Sequence, residues 1–218
     1  MRKVIAAIFV SMDGVLQSPG APEEDPSGGF DLGGWMVPFW DDHLAGFMSE
    51  AMGKDYDLLL GRRSYEMMAA FWPCADGETA RKLNAASKYV VAGSDTTLIW
   101  SGSHRLDGDA TKAVAALKQT QGRPLVIQGS RKLIQSLLAA DLIDEITTLV
   151  IPVVLGSGKR LFEDGARPRT WTLTRTRHSP KGVVVNTYER AGDVSTASHT
   201  VEPSEAELAR RQRLAREG

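Results

Sequence analysis

The sequence predicts an α/β layer fold on a mostly parallel mixed sheet with a C-terminal antiparallel hairpin. Three observations carry this expectation. Short apolar runs alternate along the chain with longer stretches at helical spacing, which is the pattern of strand–helix–strand units. Several of those runs are apolar on both faces, as strands of a sheet covered by helices on each side must be. Near the C-terminus WTLTRTRH alternates, a Ser179-Pro180-Lys181-Gly182 turn follows, and VVVNTYER closes the pair, so two antiparallel strands are expected at a sheet edge.

Taken in order, the strands are expected at Lys3 to Val10, Tyr56 to Leu60, Tyr89 to Ala92, Leu98 to Trp100, Pro124 to Gln128 and Ile146 to Ile151, ahead of the hairpin Trp171 to Arg190. In SRKLIQSLLAADLI, Leu133, Ile134, Leu137 and Leu138 fall on one helical stripe, and Ser130 is placed to cap its start. The stretch Asp107 to Gln119 puts Ala110, Val114 and Leu117 on one side, with Gly122 beyond its end. Two segments stand apart. The loop QSPGAPEEDPSGGFDLGGW is long and rich in glycine, proline and acid, so it reads as a functional lid or as disorder. The tail after Arg190 is polar, then offers a capping box from Ser204 to Glu207 ahead of a charged helix with a thin apolar stripe.

Composition narrows the function classes. A chain of 218 residues, 42% hydrophobic and 24% charged, can bury one sizeable core and carry an appendage. The net charge of -1 and a pI near 6.4 supply no general attraction for nucleic acid or an anionic membrane, so any anion site must be local. The single cysteine, Cys74, makes an intramolecular disulfide and a cysteine metal cluster impossible, which fits a reducing compartment. The apolar stretch Val4 to Val10 is too short for a signal-peptide core, and a first strand of a cytoplasmic protein is expected there.

Two segments share one grammar. LLLGRRSYE and LVIQGSRKL each run from apolar strand to glycine, then to a small hydroxyl residue and cations, then into a helix. A helix N-terminus offers unpaired backbone N–H groups and a positive dipole end, and glycine lets a phosphate come close to the backbone. Two such ends on neighbouring strands suit one dinucleotide, although each alone is also an ordinary strand-to-helix turn. Neither contains the Gly-x-Gly-x-x-Gly fingerprint or a phosphate loop ending in Gly-Lys-Ser/Thr.

On these residues the chain resembles a known superfamily. GRRSYE is similar to the Gly-Arg-x-Ser/Thr-Tyr/Trp-Glu motif of dihydrofolate reductases. VIQGSRKLIQSLLAADLIDEITTLVIPVVLGSGKRLFE resembles the cofactor-binding half of the riboflavin-biosynthesis reductase domain, and VSMDGVL its first strand and loop. The resemblance spans Arg2 to Arg190 and identifies the chain as a member of a bacterial branch of this superfamily. It implies a dihydrofolate reductase-like three-layer fold over residues 1–190, followed by a polar tail with a short helix over 191–218. It also implies a homodimer and an NADPH-dependent reductase acting on a small heterocycle of pterin or pyrimidine type, or on a carbonyl or imine. Under this resemblance Gly61 ends the strand, Arg62 and Arg63 hold the adenosine 2'-phosphate, and Ser64 holds the pyrophosphate. Ser94 supplies an adenosine-side hydroxyl, and Gln128, Gly129, Ser130 and Arg131 make the second phosphate and nicotinamide-side contacts. Where the family has paired glycines this chain has Gln128-Gly129-Ser130.

The acceptor side offers Asp42 on the helix beginning PFWDDHLAGFM as the catalytic carboxylate, with Asp13 as a second candidate. Aspartate in a first helical turn also complements the dipole, and Asp13 before Gly14 also suits a plain turn. Trp35, Phe39 and Trp40 suit either a wall for a flat ring or the core. Val4 through Gly53 contains no lysine or arginine but eight acids, which disfavours a phosphorylated acceptor unless Lys159 and Arg160 supply charge from the opposite wall. No zinc-ligand set for an appended deaminase accompanies the domain. Because the cofactor half is better marked than the catalytic half, a non-catalytic NADPH-binding or sensing protein is the alternative.

Overall fold

Strand β1 (Val4–Ser11) and strand β2 (Asp57–Gly61) are buried along almost their whole length, which is what a two-sided apolar run achieves only between two helical layers. The computed structural model describes residues 1–198 and 202–217. After β1 come α1 (Asp42–Met52), β2, α2 (Arg62–Phe71), α3 (Glu78–Ala85), β3 (Lys88–Val91), β4 (Ser103–Leu106) and α4 (Ala110–Lys118). Then follow β5 (Leu125–Ile127), α5 (Arg131–Ala139), β6 (Glu145–Ile151), β7 (Thr170–His178), β8 (Val184–Gly192) and α6 (Glu205–Glu217). They form one sheet in the order β4-β3-β2-β5-β1-β6-β8-β7. The pairs from β4 to β6 are parallel, and β8 runs antiparallel to both β6 and β7. The expected mixed sheet with its C-terminal hairpin is therefore present.

Two apolar layers flank the sheet. On one face Leu44, Met48, Tyr65, Met68 and Leu83 from α1, α2 and α3 pack on Ala7, Leu58, Leu60 and Val126. On the other, Val114 of α4 and Leu133, Ile134 and Leu137 of α5 pack on Val4, Ala6, Leu59 and Ile127. Each fully buried leucine or isoleucine contributes roughly 1.5–3 kcal/mol relative to exposure, so the layers are what hold the sheet. Polar ties set the register at its lower edge. The Arg2 guanidinium, 2% exposed, is paired with Asp57 and donates to the Arg123 carbonyl, joining the start of β1 to the start of β2 across β5. Lys118 is paired with Asp144, whose carboxylate also accepts from the Val4 amide at 2.9 Å.

Several expectations are corrected. Leu98 to Trp100 is not a strand. Trp100 is an anchor, its amide donating to the Tyr65 hydroxyl at 2.8 Å and its indole to Asn84 at 2.7 Å, while Ile99 is 71% exposed. The strand beside β3 is instead the half-polar β4, which the outer edge of a sheet permits. Ser130 occupies the N-cap position of α5, yet its hydroxyl makes no capping bond. The acidic loop is packed on the fold rather than disordered. Gln17 donates to the Asp25 and Ser27 carbonyls, Trp35 donates to the Gln17 carbonyl at 2.7 Å, and Phe30, Trp35 and Met36 are buried. The tail helix is present with no buried side chain, but only half of the capping box forms. Glu207 donates its amide to the Ser204 hydroxyl while its carboxylate turns to Arg210 and Arg211. Residues 199–201 of the polar stretch, and Gly218, lie outside the described residues.

The segment LGSGKRLF is bound to the loop after β1. Gly158 sits at φ +112, and a β-carbon there would lie 2.7 Å from Val15 and 2.9 Å from Phe30, so this close approach needs glycine. Asp13 is the polar half of the same joint. Its carboxylate accepts from the Ser11 hydroxyl at 2.7 Å and from the Leu155 and Gly156 amides at 3.1 and 2.9 Å. The Ser11 hydroxyl first, and then those two amides, hold its carboxyl well below the usual 3.8. A depressed folded value stabilises the fold above the unfolded value, and that contribution is lost as pH falls below about 4. Asp13→Asn is expected to cost about 1–2 kcal/mol at pH 7, discounted for the carboxylate's remaining solvent contact. Measured by urea unfolding, the gap between wild type and variant should shrink below about pH 4; a constant gap across that range would refute the tie.

Candidate functional site

The two glycine-bearing strand ends meet. β2 and β5 are adjacent and parallel, with Leu58 beside Val126, so each strand delivers its following helix to the same rim of the sheet. A β-carbon on Gly61 would lie 2.6 Å from the Ser130 hydroxyl, and one on Gly129 would lie 3.3 Å from the Ser64 hydroxyl. Each strand's glycine therefore lies against the serine of the other, and Gly61, Ser64, Gly129 and Ser130 form one small polar rim. The Gly129–Ser130 peptide is cis.

Helix capping separates these two ends from others in the fold. Asp41 caps α1 through the Leu44 amide and Asp109 caps α4 through the Lys112 amide, so those N-termini are already served by a carboxylate. α2 and α5 begin at Gly61 and Ser130 with no side-chain cap and no acid in the first turn. Their first-turn amides and positive dipole ends face the rim. α3 also starts without a side-chain cap, at Gly77, but carries Glu78 in its first turn.

The cations diverge from this rim. Arg62 is exposed and paired with Glu66 at 3.0 Å, one turn along α2. Arg63 is exposed and makes no ion pair among the described residues. Arg131 turns to Glu163 on the loop before β7, and its Nε is buried without a hydrogen-bond partner. Ser94 is exposed three residues beyond the end of β3, in a loop that Arg105 holds by donating to the Gly93 and Thr96 carbonyls. Arg105 was not singled out by sequence, and its position on an edge strand gives it no local signal. Gln128 is turned away from the rim, its amide donating to the Met52 thioether at 3.1 Å.

Met52 leads to the second feature. Ala51 and Gly53 on either side of it line a cleft of about 330 Å³ between α1 and strands β6, β8 and β7. Ile5 and Phe47 form its apolar side, and Glu50, Glu145 and Arg177 are among its charged residues. The cation-free segment Val4 to Gly53 thus lines this cleft, but its positive charge comes from Arg175 and Arg177 on β7. Lys159 and Arg160 do not supply it. Lys159 is engaged with Asp25 and Ser27, and Arg160 donates to the Asp13 carbonyl at 3.0 Å. Asp42 is exposed in the first turn of α1 and Asp41 makes the capping bond. Trp35 belongs to the core, whereas Trp40 is 45% exposed and tilts against Phe9 with ring centroids 6.2 Å apart. No described group of histidine, cysteine, aspartate and glutamate is arranged to hold a metal, and no described helix is long and apolar enough to cross a membrane.

Comparison with known proteins gives the family and the fold. The chain is 29% identical over 190 residues to YwjB of Bacillus subtilis, covering 87% of this chain and 99% of that one. It is 26% identical to YyaP of the same organism, over 88% and 96%. Among solved structures, a Shewanella sp. PV-4 protein described as acting in riboflavin biosynthesis superposes with a TM-score of 0.62 at 20% identity, over 87% and 99% of the chains. A pyrimidine reductase-like protein of Corynebacterium diphtheriae gives 0.58 at 11%, over 88% and 93%. Dihydrofolate reductase of Enterococcus faecalis, solved with NADP(H), gives 0.55 at 17%, over 86% and 96%. These structures share the fold. The sequence profile of the RibD C-terminal domain matches residues 2–185, and the chain belongs to that family.

Proposed function

We propose that the protein is an NADPH-dependent reductase of a small heterocyclic, carbonyl or imine acceptor. The observation that carries this reading is the pair of uncapped helix N-termini, α2 and α5, brought to one rim by neighbouring parallel strands whose glycines admit close approach. NADPH fits this donor set because it brings anionic groups to both helix ends. In this reading Ser64 and the α2 amides hold the pyrophosphate. Gly129 and Ser130 take the second phosphate and the nicotinamide side, with Arg131 beside them, and Ser94 lies on the adenosine side. Arg62 and Arg63 meet the 2'-phosphate.

The bound cofactor supplies a hydride; the chain's own residues orient the two partners and exclude water. The acceptor lies in the cleft beneath α1, whose last turn separates it from the end of β5. Ile5 in that cleft pairs with Val126, two residues before Gln128, a separation of about 7 Å along the strand. Asp13, held ionised by the loop it ties, has no proton to give at neutral pH. Asp42, exposed in the first turn of α1, does not line that cleft, to which the helix contributes its far half from Phe47 onward.

The same reading makes the chain a homodimer. On the α5 side of the sheet Thr148 and Val150 of β6 are only half-buried, Val184 of β8 is 40% exposed, and β7 is an edge strand exposed over nearly its whole length. Light scattering at micromolar concentration should give twice the 23.7 kDa chain mass; a monomer would remove this part.

The cofactor assignment has a sharper test. Arg62 must exchange Glu66 for phosphate, whereas Arg63 gives up only solvent, so Arg63 should carry more of the discrimination. A hydrogen bond to a charged group contributes roughly 1.5–3 kcal/mol, so Arg63→Ala is expected to weaken NADPH about ten- to hundredfold and Arg62→Ala by less. NADH, with a neutral hydroxyl at that position, should be almost unaffected. Dissociation constants for both cofactors, read by fluorescence, check this; equal losses for NADH and NADPH would refute 2'-phosphate recognition. NADPH binding without oxidation against any acceptor in a broad panel would move the protein to the sensing class.

A further inference from the structure

Helix α5 opens on Arg131 and Lys132 with no acid in its first turn and no side-chain cap. A helix start is a positive dipole end, so two cations placed there are unfavourable unless an anion from elsewhere answers them. Among the described residues that anion is Glu163, from the segment between β6 and β7, which pairs with the Arg131 guanidinium. The Arg131 side chain is 22% exposed and its Nε is buried without a partner, whereas the Glu163 side chain is 50% exposed.

The segment carrying Glu163 is fixed at both ends. Leu161 is buried, its amide donating to the Gly14 carbonyl at 2.9 Å, and Arg167 reaches the Ala139 carbonyl and Asp141, both at 3.0 Å. Residues 162–166 between these anchors are exposed, and the Glu163–Arg131 pair is the one hydrogen bond or ion pair that joins them to the rest of the described residues. They border a groove of about 220 Å³ beside Gln135 and Leu138 of α5, so Glu163 can leave Arg131 without unpacking the core.

We propose that Glu163 is a positioning residue that sets cofactor affinity: it holds the Arg131 guanidinium away from the glycine–serine rim, and a dinucleotide phosphate at the start of α5 takes its place. The inference rests on the reading of that rim as the cofactor site. Phosphate is the stronger partner, because it meets the α5 amides as well as the guanidinium. A half-exposed carboxylate on an arginine gains little over water. The exchange therefore proceeds, but each binding event must first break the pair, so Glu163 lowers affinity for any dinucleotide. This differs in kind from the effect of Arg63, since the pyrophosphate is common to NADPH and NADH.

Calorimetry on the full chain with NADPH, NADH and inorganic pyrophosphate tests the exchange in wild type, Glu163→Gln, Arg131→Ala and the double variant. Glu163→Gln keeps the shape and removes the charge, and should tighten NADPH and NADH alike by about three- to tenfold. In the Arg131→Ala background the same change should have no effect, because the competition it relieves is gone. Asp164→Asn removes the same charge one residue along, from an exposed acid with no ion pair among the described residues, and should leave both affinities as in wild type. Unchanged or weaker dinucleotide binding by Glu163→Gln, an equal gain from Asp164→Asn, or a gain that survives Arg131→Ala would overturn the exchange and leave the cofactor reading standing. Failure of wild type and Glu163→Gln to bind either dinucleotide would sink the cofactor reading. Pyrophosphate held more tightly by Glu163→Gln than by wild type would then still sustain the exchange, and pyrophosphate bound equally or not at all would overturn it.

Discussion

Everything at the proposed cofactor rim depends on how closely β2 and β5 approach at their ends. β5 has only three residues, yet it pairs with β1 on one side and β2 on the other. So short a strand cannot be placed by its own hydrogen bonds alone. Its position is set by the buried layers above and below and by the Arg2–Asp57 pair that spans it at the opposite end. With β5 so placed, the chain leaving it at Gly129 must pass Ser64, and the chain leaving β2 at Gly61 must pass Ser130. A side chain at Gly61 would wedge these ends apart and move both helix N-termini from the rim.

The cleft beneath α1 is organised by different forces. Helix α1 is capped at one end by Asp41, packed through Leu44, Met48 and Met52, and linked across the cleft by Glu50 to Arg175 on the edge strand. Met52 also receives the Gln128 amide, so one side chain touches the end of β5 while its neighbours line the cleft. The two half-sites therefore share a wall. The first loop and LGSGKRLF are held away from this wall, because Asp13, Lys159 and Arg160 bind one another's segments rather than the cleft.

The part of the site that was legible in the sequence is the part whose chemistry is local. Glycine, a small hydroxyl and a helix start are consecutive in GRRSYE and again in QGSRKL, so their shared grammar could be read without knowing where the strands lie. The cleft could not be read in that way. Ile5, Phe47, Glu145, Arg177 and Thr187 come from separate elements, and Glu145 looks in sequence like an acid at the start of a strand. Leu98 to Trp100 misled for a related reason. An apolar triplet has strand character by composition, but Trp100 is consumed by Tyr65 and Asn84 from other elements.

The sequence by itself determined the alternation of elements, the two-sided burial of β1 and β2, the terminal hairpin and the two glycine-bearing helix starts, because each is written in periodicity or in a few adjacent residues. Only the tertiary structure decided that the two starts share one rim, that Arg62 is engaged while Arg63 is open, and that Lys159 and Arg160 are committed to the first loop. It also decided that Arg131 is held by Glu163. These outcomes turn on contacts between residues far apart in sequence, where the partner that satisfies or strands a charge is chosen by packing and not by neighbours along the chain.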